Sequence, residues 1–274
     1  MSASDHSSDV ATPAGAADPQ SSVHAKALRA LRASGIEHLV GGAYELEWHI
    51  GAHLRDTKDL DVFVRPRDFS RTLDALAAAG FETEVFAHWL GKARRGSHFV
   101  DVIFRSGNGE AVVDDAWFER AVPAEVLGVA VRFGALENGI MTRAFVMERE
   151  RFDGADVAHL LRCRAEQIDW DRLLALFGRH WRVLAAHLVL FGYIYPAERQ
   201  RIPARVMRDL VGRMSRESHE PPPPDRVCQG TLLSRAQYLV DVEQWRYEDA
   251  RRSPRGALTP GEIDRWTRAI DEEE

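Results

Sequence analysis

The sequence has few cysteines and no excess of positive charge, and each shortage excludes a class of protein. Its 274 residues include two cysteines, Cys163 and Cys228, which lie far apart and form no CxxC pattern. We therefore expect neither a disulfide framework nor a zinc site, and a reducing, cytoplasmic location. The net charge of −6 argues against general DNA binding through a basic surface.

Long apolar runs are also scarce. The longest, from Val183 to Tyr195, is shorter than a bilayer span and includes His187 and Gly192, so we predict a buried helix and no membrane partner. The first residues contain no positive region followed by an apolar segment, and we expect no signal peptide. At 45% hydrophobic residues, the chain has enough apolar material for a full core.

One stretch, 41–61, combines two features that suit phosphate and metal ions. It opens with Gly41 and Gly42 directly after the strand-like run 36–40, and apolar residues at helical spacing then predict a helix over 43–54. Glycine adopts positive φ and lets the backbone approach a ligand, while free amides in the first turn of a helix attract phosphate. The glycine pair therefore predicts a strand-to-helix turn that can hold a triphosphate.

The same stretch ends with two carboxylates one residue apart. Side chains alternate along the predicted strand 59–64, so Asp59 and Asp61 share one face while Leu60 and Val62 point into the core. Two carboxylates about 7 Å apart along a strand suit an oxygen-preferring divalent cation, Mg²⁺ or Mn²⁺. Together with the glycine pair, they predict a site for a nucleoside triphosphate and its metal ion.

These motifs resemble those of the DNA-polymerase-β-like nucleotidyltransferase superfamily. Its signature is an apolar residue, Gly-Gly or Gly-Ser, a helix and then Asp-x-Asp, and the matching residues here are Val40-Gly41-Gly42 and Arg55-x-Thr57-x-Asp59-Leu60-Asp61. The long spacing and the Arg-x-Thr form are similar to a bacterial branch that includes abortive-infection-type toxins. The resemblance places Gly41, Gly42, Arg55 and Thr57 at the nucleotide, although Arg55 and Thr57 could instead only pair across the loop.

A third carboxylate, Asp101, interrupts the apolar run 98–104. A lone carboxylate in such a strand is costly to bury unless it is paired or binds a metal ion. In the superfamily a third carboxylate on a neighbouring strand completes the metal site and in some members acts as general base, and Asp101 matches it by order and context. Where the toxin-like branch carries a triphosphate-binding Lys, this chain has Arg143, which keeps the charge.

The pattern of elements predicts an α/β (α+β) fold, with a nucleotidyltransferase-type mixed sheet, flanking helices and a helical C-terminal domain. Residues 1–22, rich in Ser, Ala, Asp and Pro, predict a disordered tail. We assign 23–150 to the nucleotidyltransferase domain, 151–251 to the helical domain and 252–274 to a charged C-terminal tail. This tail is expected to be either a surface helix after Thr259-Pro260 or a frayed end.

Three local patterns also give predictions. Residues 92–96 are expected to form a solvated hairpin tip, with acceptor or phosphate binding by Lys92, Arg94 and Arg95 as the alternative. Residues 126–133 are expected to form a single strand and 231–247 a helix. These predictions rest on hydrophobic periodicity and turn residues alone.

The sequence thus predicts an enzyme that moves a nucleoside monophosphate from an NTP to an acceptor and releases pyrophosphate. Asp59, Asp61 and Asp101 are expected to bind Mg²⁺ or Mn²⁺, and Gly41, Gly42 and Arg143 the phosphates. The acceptor stays open among a small molecule, a protein and RNA; an RNA acceptor predicts a basic strip beside the cleft. The alternative is a nucleotide-binding or regulatory module on the same fold without turnover.

Overall fold

The computed structural model describes residues 19–54 and 57–268, and Arg55 therefore lies outside the described residues. Most of the tail predicted over 1–22 also lies outside them. The prediction is wrong for the last residues of this tail, because the first helix begins at Pro19 rather than near residue 23. In this helix Ala27, Leu28 and Leu31 are fully buried, and this apolar stripe explains why the helix packs on the sheet.

A seven-stranded mixed sheet forms the centre of the first half of the chain. In chain order the strands of the protein are β1 Leu39–Val40, β2 Asp59–Phe63, β3 Glu82–Ala87, β4 Leu90–Arg95, β5 His98–Ile103, β6 Val122–Val126, β7 Val129–Phe133, β8 Val227–Cys228 and β9 Glu248–Asp249. Across the sheet the order is β3-β4-β5-β2-β1-β7-β6. Strands β2 and β5 are parallel neighbours, whereas β1 is antiparallel to β2 and parallel to β7. Strand β2 therefore lies between β5 and β1, and β1 leads into the turn before α2.

Helices cover the sheet and form most of the second half. They are α1 Pro19–Ala33, α2 Gly42–Ile50, α3 Phe69–Ala78, α4 Asp115–Glu119, α5 Leu136–Ala144, α6 Gly154–Arg164, α7 Trp170–Phe177, α8 Trp181–Ile194, α9 Ala204–Glu217, α10 Leu239–Glu243 and α11 Pro260–Arg268. The mixed sheet, its flanking helices and the helical C-terminal region confirm the predicted fold class.

Two apolar cores lie in the molecule. The first joins one sheet face, including Leu60 and Val62 of β2, to α1 and α3. The second is built mainly from α5 to α9 and includes Leu46 of α2. Because α2 contributes to the helical core, the two parts of the chain share apolar contacts, and the domain division at residue 150 stays a prediction.

Two local predictions are wrong, each for a tertiary or turn-level reason. The strand predicted over 126–133 is interrupted by a turn. Val126 ends β6, Leu127 and Gly128 have positive φ, and β7 begins at Val129. The helix predicted over 231–247 is reduced to α10. Upstream of α10, the carbonyls of Leu232 and Leu233 accept hydrogen bonds from Asn108 and Met147 instead of from the next helical turn.

The predicted charged tail contains a docked helix, α11. Its N-terminus is a capping box in which Thr259 and Glu262 exchange hydrogen bonds of 2.8 and 3.3 Å. Glu262 also pairs with Arg105 at 2.6 Å, and the Trp266 ring lies against Gly107. Residues Pro260–Arg268 therefore form the helix expected after Thr259-Pro260, and it is held against the sheet by Glu262 and Trp266.

One segment, Trp170–Ile194, is long and apolar enough to cross a membrane by length and composition alone. It is formed by α7 and α8, which are separated at Gly178, where φ is 43°. Its residues Leu173, Phe177 and Leu184 belong to the helical core. The prediction of a buried helix from Val183 onward is confirmed for one face only, on which Leu184, Leu188 and Phe191 are buried. The other face is exposed at Val189, Leu190, Tyr193 and Ile194.

Candidate active site

Three carboxylates from two neighbouring strands meet on one face of the sheet. Asp61 of β2 is paired in register with Asp101 of β5, and Asp59 lies two residues before Asp61 on the same face. One oxygen from each of the three side chains lies within 4.8 Å of the others. The strand alternation produces this geometry, since Leu60 and Val62 between and beside the aspartates are fully buried on the opposite face.

The charges of this acidic cluster (Asp59, Asp61 and Asp101) act on one another. Removal from water and the repulsion of Asp59 and Asp101 raise the pKa of Asp61 to about 7. A divalent cation would relieve that repulsion, and a set of three carboxylates is the hard oxygen donor set that Mg²⁺ and Mn²⁺ prefer. The residues therefore fit the metal ion that the sequence predicts.

The glycine turn (Gly41 and Gly42) lies directly beside the acidic cluster. The amide of Gly41 donates to the carbonyl of Asp61 at 3.0 Å, which ties the turn to β2. Gly42 has φ of 59°, and a Cβ there would lie 1.7 Å from Oδ2 of Asp61, so only glycine fits. Helix α2 begins at this point, so the positive end of its dipole lies beside the cluster, where phosphate could bind.

Arg143 lies behind the glycine turn rather than in front of it. Its Nη2 donates to the carbonyl of Gly42 at 2.7 Å, and its Nη1 donates to Glu45 at 3.1 Å and to the carbonyl of Gly139 at 2.9 Å. Burial raises the pKa of Glu45, and the charge of Arg143 opposes that rise. In this arrangement the guanidinium holds the turn in place.

Thr57, predicted at the nucleotide, contacts the acidic cluster. Its hydroxyl donates to Oδ1 of Asp59 at 2.6 Å and so orients that carboxylate. Arg55, the other loop residue predicted at the nucleotide, lies outside the described residues. Helix α2 ends at Ile50, four residues before the predicted end, because Gly51 adopts a left-handed conformation with φ of 74° and closes it.

One basic residue at this site was not singled out in the sequence. Burial alone would lower the pKa of Arg151, but hydrogen bonds to Asp153 and the charges of Asp61 and Asp59 raise it. Its Nε and Nη2 form two bonds to Asp153, of 3.1 and 3.0 Å, while 67% of the side chain stays exposed. The signal in the sequence was the dense run of charges over 148–156, in which no single residue stands out.

The predicted hairpin tip 92–96 is also wrong in a way that matters for the site. Lys92 lies within β4 and pairs in register with Asp101, so the two side chains share one face. The Lys92 ammonium lies 4.2 Å from the centre of the Phe86 ring and 5.8 Å from that of Phe99. Because β4 pairs with β5 over its whole length, the turn comes later, at Gly96, and the basic residue is brought next to the acidic cluster.

Comparisons with known proteins match the chain to a family model. Residues 20–191, well over half of the chain, match the model of a family described as "Uncharacterised nucleotidyltransferase". No curated protein matches the sequence significantly.

Similar solved structures include the antibiotic-resistance factor ANT(2'')-Ia, at 16% identity and a TM-score of 0.46, over 61% of this chain and 96% of that one. The lincosamide antibiotic adenylyltransferase LnuA is 12% identical, with a TM-score of 0.38 over 51% of this chain and 94% of that one. JHP933 from Helicobacter pylori is 12% identical, with a TM-score of 0.37 over 74% of this chain and 96% of that one.

Proposed function

The chain belongs to this nucleotidyltransferase family, and from that premise we propose that it transfers a nucleoside monophosphate from an NTP to an acceptor nucleophile. The observation that supports the proposal is the acidic cluster, whose oxygens lie within 4.8 Å of one another beside a turn that only glycine can form. Anion-binding amides and cation-binding carboxylates in contact suit a triphosphate and its metal ion.

In the proposed reaction the acceptor oxygen or nitrogen attacks the α-phosphorus of the NTP. The bond from the α-phosphorus to the oxygen that bridges to the β-phosphate breaks, and its electron pair leaves with pyrophosphate. Asp101 takes the acceptor proton. Asp59 and Asp61, together with Asp101, would hold Mg²⁺ or Mn²⁺, which supplies positive charge to the triphosphate oxygens.

From the order of groups across the sheet, we place the two substrates on opposite sides of the acidic cluster. The glycine turn lies at the β1 edge of the acidic cluster and Lys92 at the β4 edge, with Asp59, Asp61 and Asp101 between them. We assign the phosphate tail to the glycine turn and the acceptor to the Lys92 side, next to the proposed base Asp101.

Arg151 is assigned to the phosphates. It is exposed, held in position by Asp153 and close enough to Asp59 and Asp61 for their charges to raise its pKa. Arg151→Gln is expected to weaken Mg²⁺-NTP binding about tenfold, the usual size of one charge-assisted hydrogen bond. The matched control is Arg149→Gln, at a side chain that is 78% exposed; equal affinities of the two variants for a fluorescent NTP analogue would remove Arg151 from the site.

Among the acceptors left open, the face around Lys92 favours a planar, anionic molecule such as an RNA end. Lys92 offers positive charge for a phosphate, and the Phe86 and Phe99 rings beside it offer apolar faces on which a base can stack. A gel shift of a short single-stranded RNA that weakens with salt and is lost in Lys92→Met supports this acceptor class. RNA binding that is indifferent to Lys92 argues for a small-molecule or protein acceptor.

The decisive test of the reaction is transfer of label. The full-length protein is incubated with α-³²P-labelled NTPs, Mg²⁺ or Mn²⁺ and a fractionated cell extract, beside the double variant Asp59→Asn/Asp61→Asn. Label is expected in one acceptor fraction with the wild type alone, with stoichiometric pyrophosphate. No transfer in any fraction, or equal transfer by the double variant, refutes the assignment.

A second candidate function is nucleotide binding without turnover. It is favoured by Arg143, which is 7% exposed and engaged by Glu45, Gly139 and Gly42, so its guanidinium is not free to bind a triphosphate. This function predicts saturable NTP binding in the presence of Mg²⁺ with no pyrophosphate release at any acceptor concentration. The labelling experiment, run beside a binding titration, separates the two functions.

A further inference from the structure

A second polar pocket lies at the far ends of two helices that also reach the active site. Helix α2 runs from Gly42 to Ile50, and its nine residues span about 13 Å. Helix α6 runs from Gly154 to Arg164 and carries Asp156, which approaches Arg143 to 3.8 Å. The pocket has a volume of about 300 Å³, within the range of small-molecule sites, and His49, Arg162, Arg164, Glu198 and Arg201 are among its lining residues.

The imidazole ring of His49 lacks hydrogen-bond partners among the described residues. His49 is 5% exposed, and within residues 19–54 and 57–268 neither of its ring nitrogens has a hydrogen-bond partner. Burial and the nearby charges of Arg164 and Arg143 lower the pKa of His49 to about 4, so at neutral pH the ring carries one N–H donor and one acceptor. Such a group, buried without partners, is destabilising unless a ligand or water completes it.

The positive charge in the pocket is only partly neutralised. Glu198 accepts from Arg162 at 3.1 Å and from Arg201 at 2.8 Å, and Arg201 also pairs with Glu166. Arg164 donates from Nε to the backbone carbonyl of His49 at 2.5 Å. Among the described carboxylates none forms an ion pair with Arg164, so its two terminal amino groups are left for another acceptor.

Helix capping explains part of this arrangement but not all of it. The carbonyl ends of α2 and α6 carry partial negative charge toward the pocket, and an arginine in the last turn of a helix offsets that charge. Capping accounts for the Nε of Arg164 and its bond to the His49 carbonyl. It leaves the His49 ring and the Arg164 terminal amino groups unexplained, and both residues line the cavity.

We propose that this His49 pocket is a second binding site, separate from the acidic cluster, for the phosphate of a small phosphate monoester. A phosphate oxygen accepts from the fork of Arg164, which binds oxyanions through two N–H groups, and rotation of the buried His49 ring toward the cavity lets its N–H donate to another. The volume is roughly ten times that of one water, so it holds the phosphate together with a small organic group.

The test uses the full-length protein with ¹⁵N-labelled histidine and the active site disabled. The background is Asp59→Asn/Asp61→Asn in EDTA, so that a phosphate compound has no metal site to occupy, and His49→Gln assigns the His49 ring signals. Inorganic phosphate and AMP are titrated in separate arms. Both arms are expected to shift the His49 ring signals saturably, and AMP is expected to bind more tightly.

Variants then tie the signal to the pocket. Arg164→Gln is expected to weaken AMP binding at least about tenfold, and the control Arg199→Gln, an exposed position on the neighbouring turn Pro196–Arg201, leaves it unchanged. If circular dichroism shows that Arg164→Gln does not fold, Arg162→Gln takes its place, with a loss in the same direction.

Absence of a saturable shift in both arms overturns the proposal, as does equal AMP binding by Arg164→Gln and the wild type. A response to inorganic phosphate alone overturns the monoester assignment. None of these readouts requires nucleotidyl transfer, so failure of the labelling experiment at the active site leaves this test intact.

Discussion

Replacing Asp61 by Asn is expected to stabilise the metal-free protein and to remove its stabilisation by Mg²⁺. The pKa of Asp61 rises from 3.8 to about 7 through removal from water and repulsion by Asp59 and Asp101. A shift of about three pH units corresponds to about 4 kcal/mol of destabilisation when Asp61 is ionised. Coulomb's law gives a similar size, about 3.5 kcal/mol for two unit charges 4.8 Å apart at an effective dielectric constant of about 20.

The difference in the free energy of unfolding between Asp61→Asn and the wild type depends on pH. Folded Asp61 keeps its proton to a higher pH than the unfolded chain does, so the folded state binds more protons between about pH 4 and pH 7. The free energy of unfolding of the wild type therefore falls as the pH rises through that window, and the loss is complete above pH 7. The advantage of Asp61→Asn grows over the same window.

The assay is urea denaturation at pH 8, first in EDTA and then in Mg²⁺, with Asp74→Asn on the exposed face of α3 as the control. In EDTA the free energy of unfolding of Asp61→Asn is expected to exceed that of the wild type by about 2–4 kcal/mol. Mg²⁺ is expected to stabilise the wild type and the Asp74 control but not Asp61→Asn. A variant no more stable than the wild type in EDTA, or equal stabilisation of both by Mg²⁺, refutes the reasoning.

Three further substitutions test the parts around the cluster. Gly42→Ala places a Cβ 1.7 Å from Asp61 Oδ2 at a positive φ, and label transfer is expected to fall at least about tenfold in an otherwise folded protein. Arg143→Met leaves Glu45 buried without its partner and is expected to lower the free energy of unfolding by about 3–5 kcal/mol, part of which Glu45→Gln restores in urea denaturation. Lys92→Met is expected to reduce acceptor labelling several-fold while Mg²⁺-NTP affinity, measured by titration, stays the same; a matching loss of NTP affinity would contradict the division of sides.

The parts of the site that the sequence predicted are those fixed over short distances. Strand alternation alone puts Asp59 and Asp61 on one face, and the glycine pair alone predicts the turn that precedes α2. Membership of the nucleotidyltransferase family confirms the superfamily resemblance that these motifs suggested. Asp101 is the exception: its apolar strand and the superfamily resemblance predicted it, and the long-range pairing of β2 with β5 places it beside Asp61.

The parts that the sequence did not predict depend on pairing between distant segments. Lys92 reads as a residue of a hairpin tip until the register of β4 with β5 places it opposite Asp101. Arg143 reads as a phosphate ligand until the buried carboxylate of Glu45, 98 residues earlier in the chain, is seen to bind it. In both cases the charge is visible in the sequence, but the partner that decides its role is not.

The position of Arg143 changes how the site is held together. In front of the glycine turn, its charge would reach the ligand directly; behind it, Arg143 fixes the carbonyl of Gly42 and joins α2, α5 and α6 through Glu45 and Asp156. The turn must keep a left-handed conformation next to three repelling carboxylates, and a buried ion pair at its back resists the displacement that this repulsion favours. Preorganisation of the turn is therefore the role that the geometry gives Arg143, and exposed Arg151 is the described cation that we assign to the nucleotide.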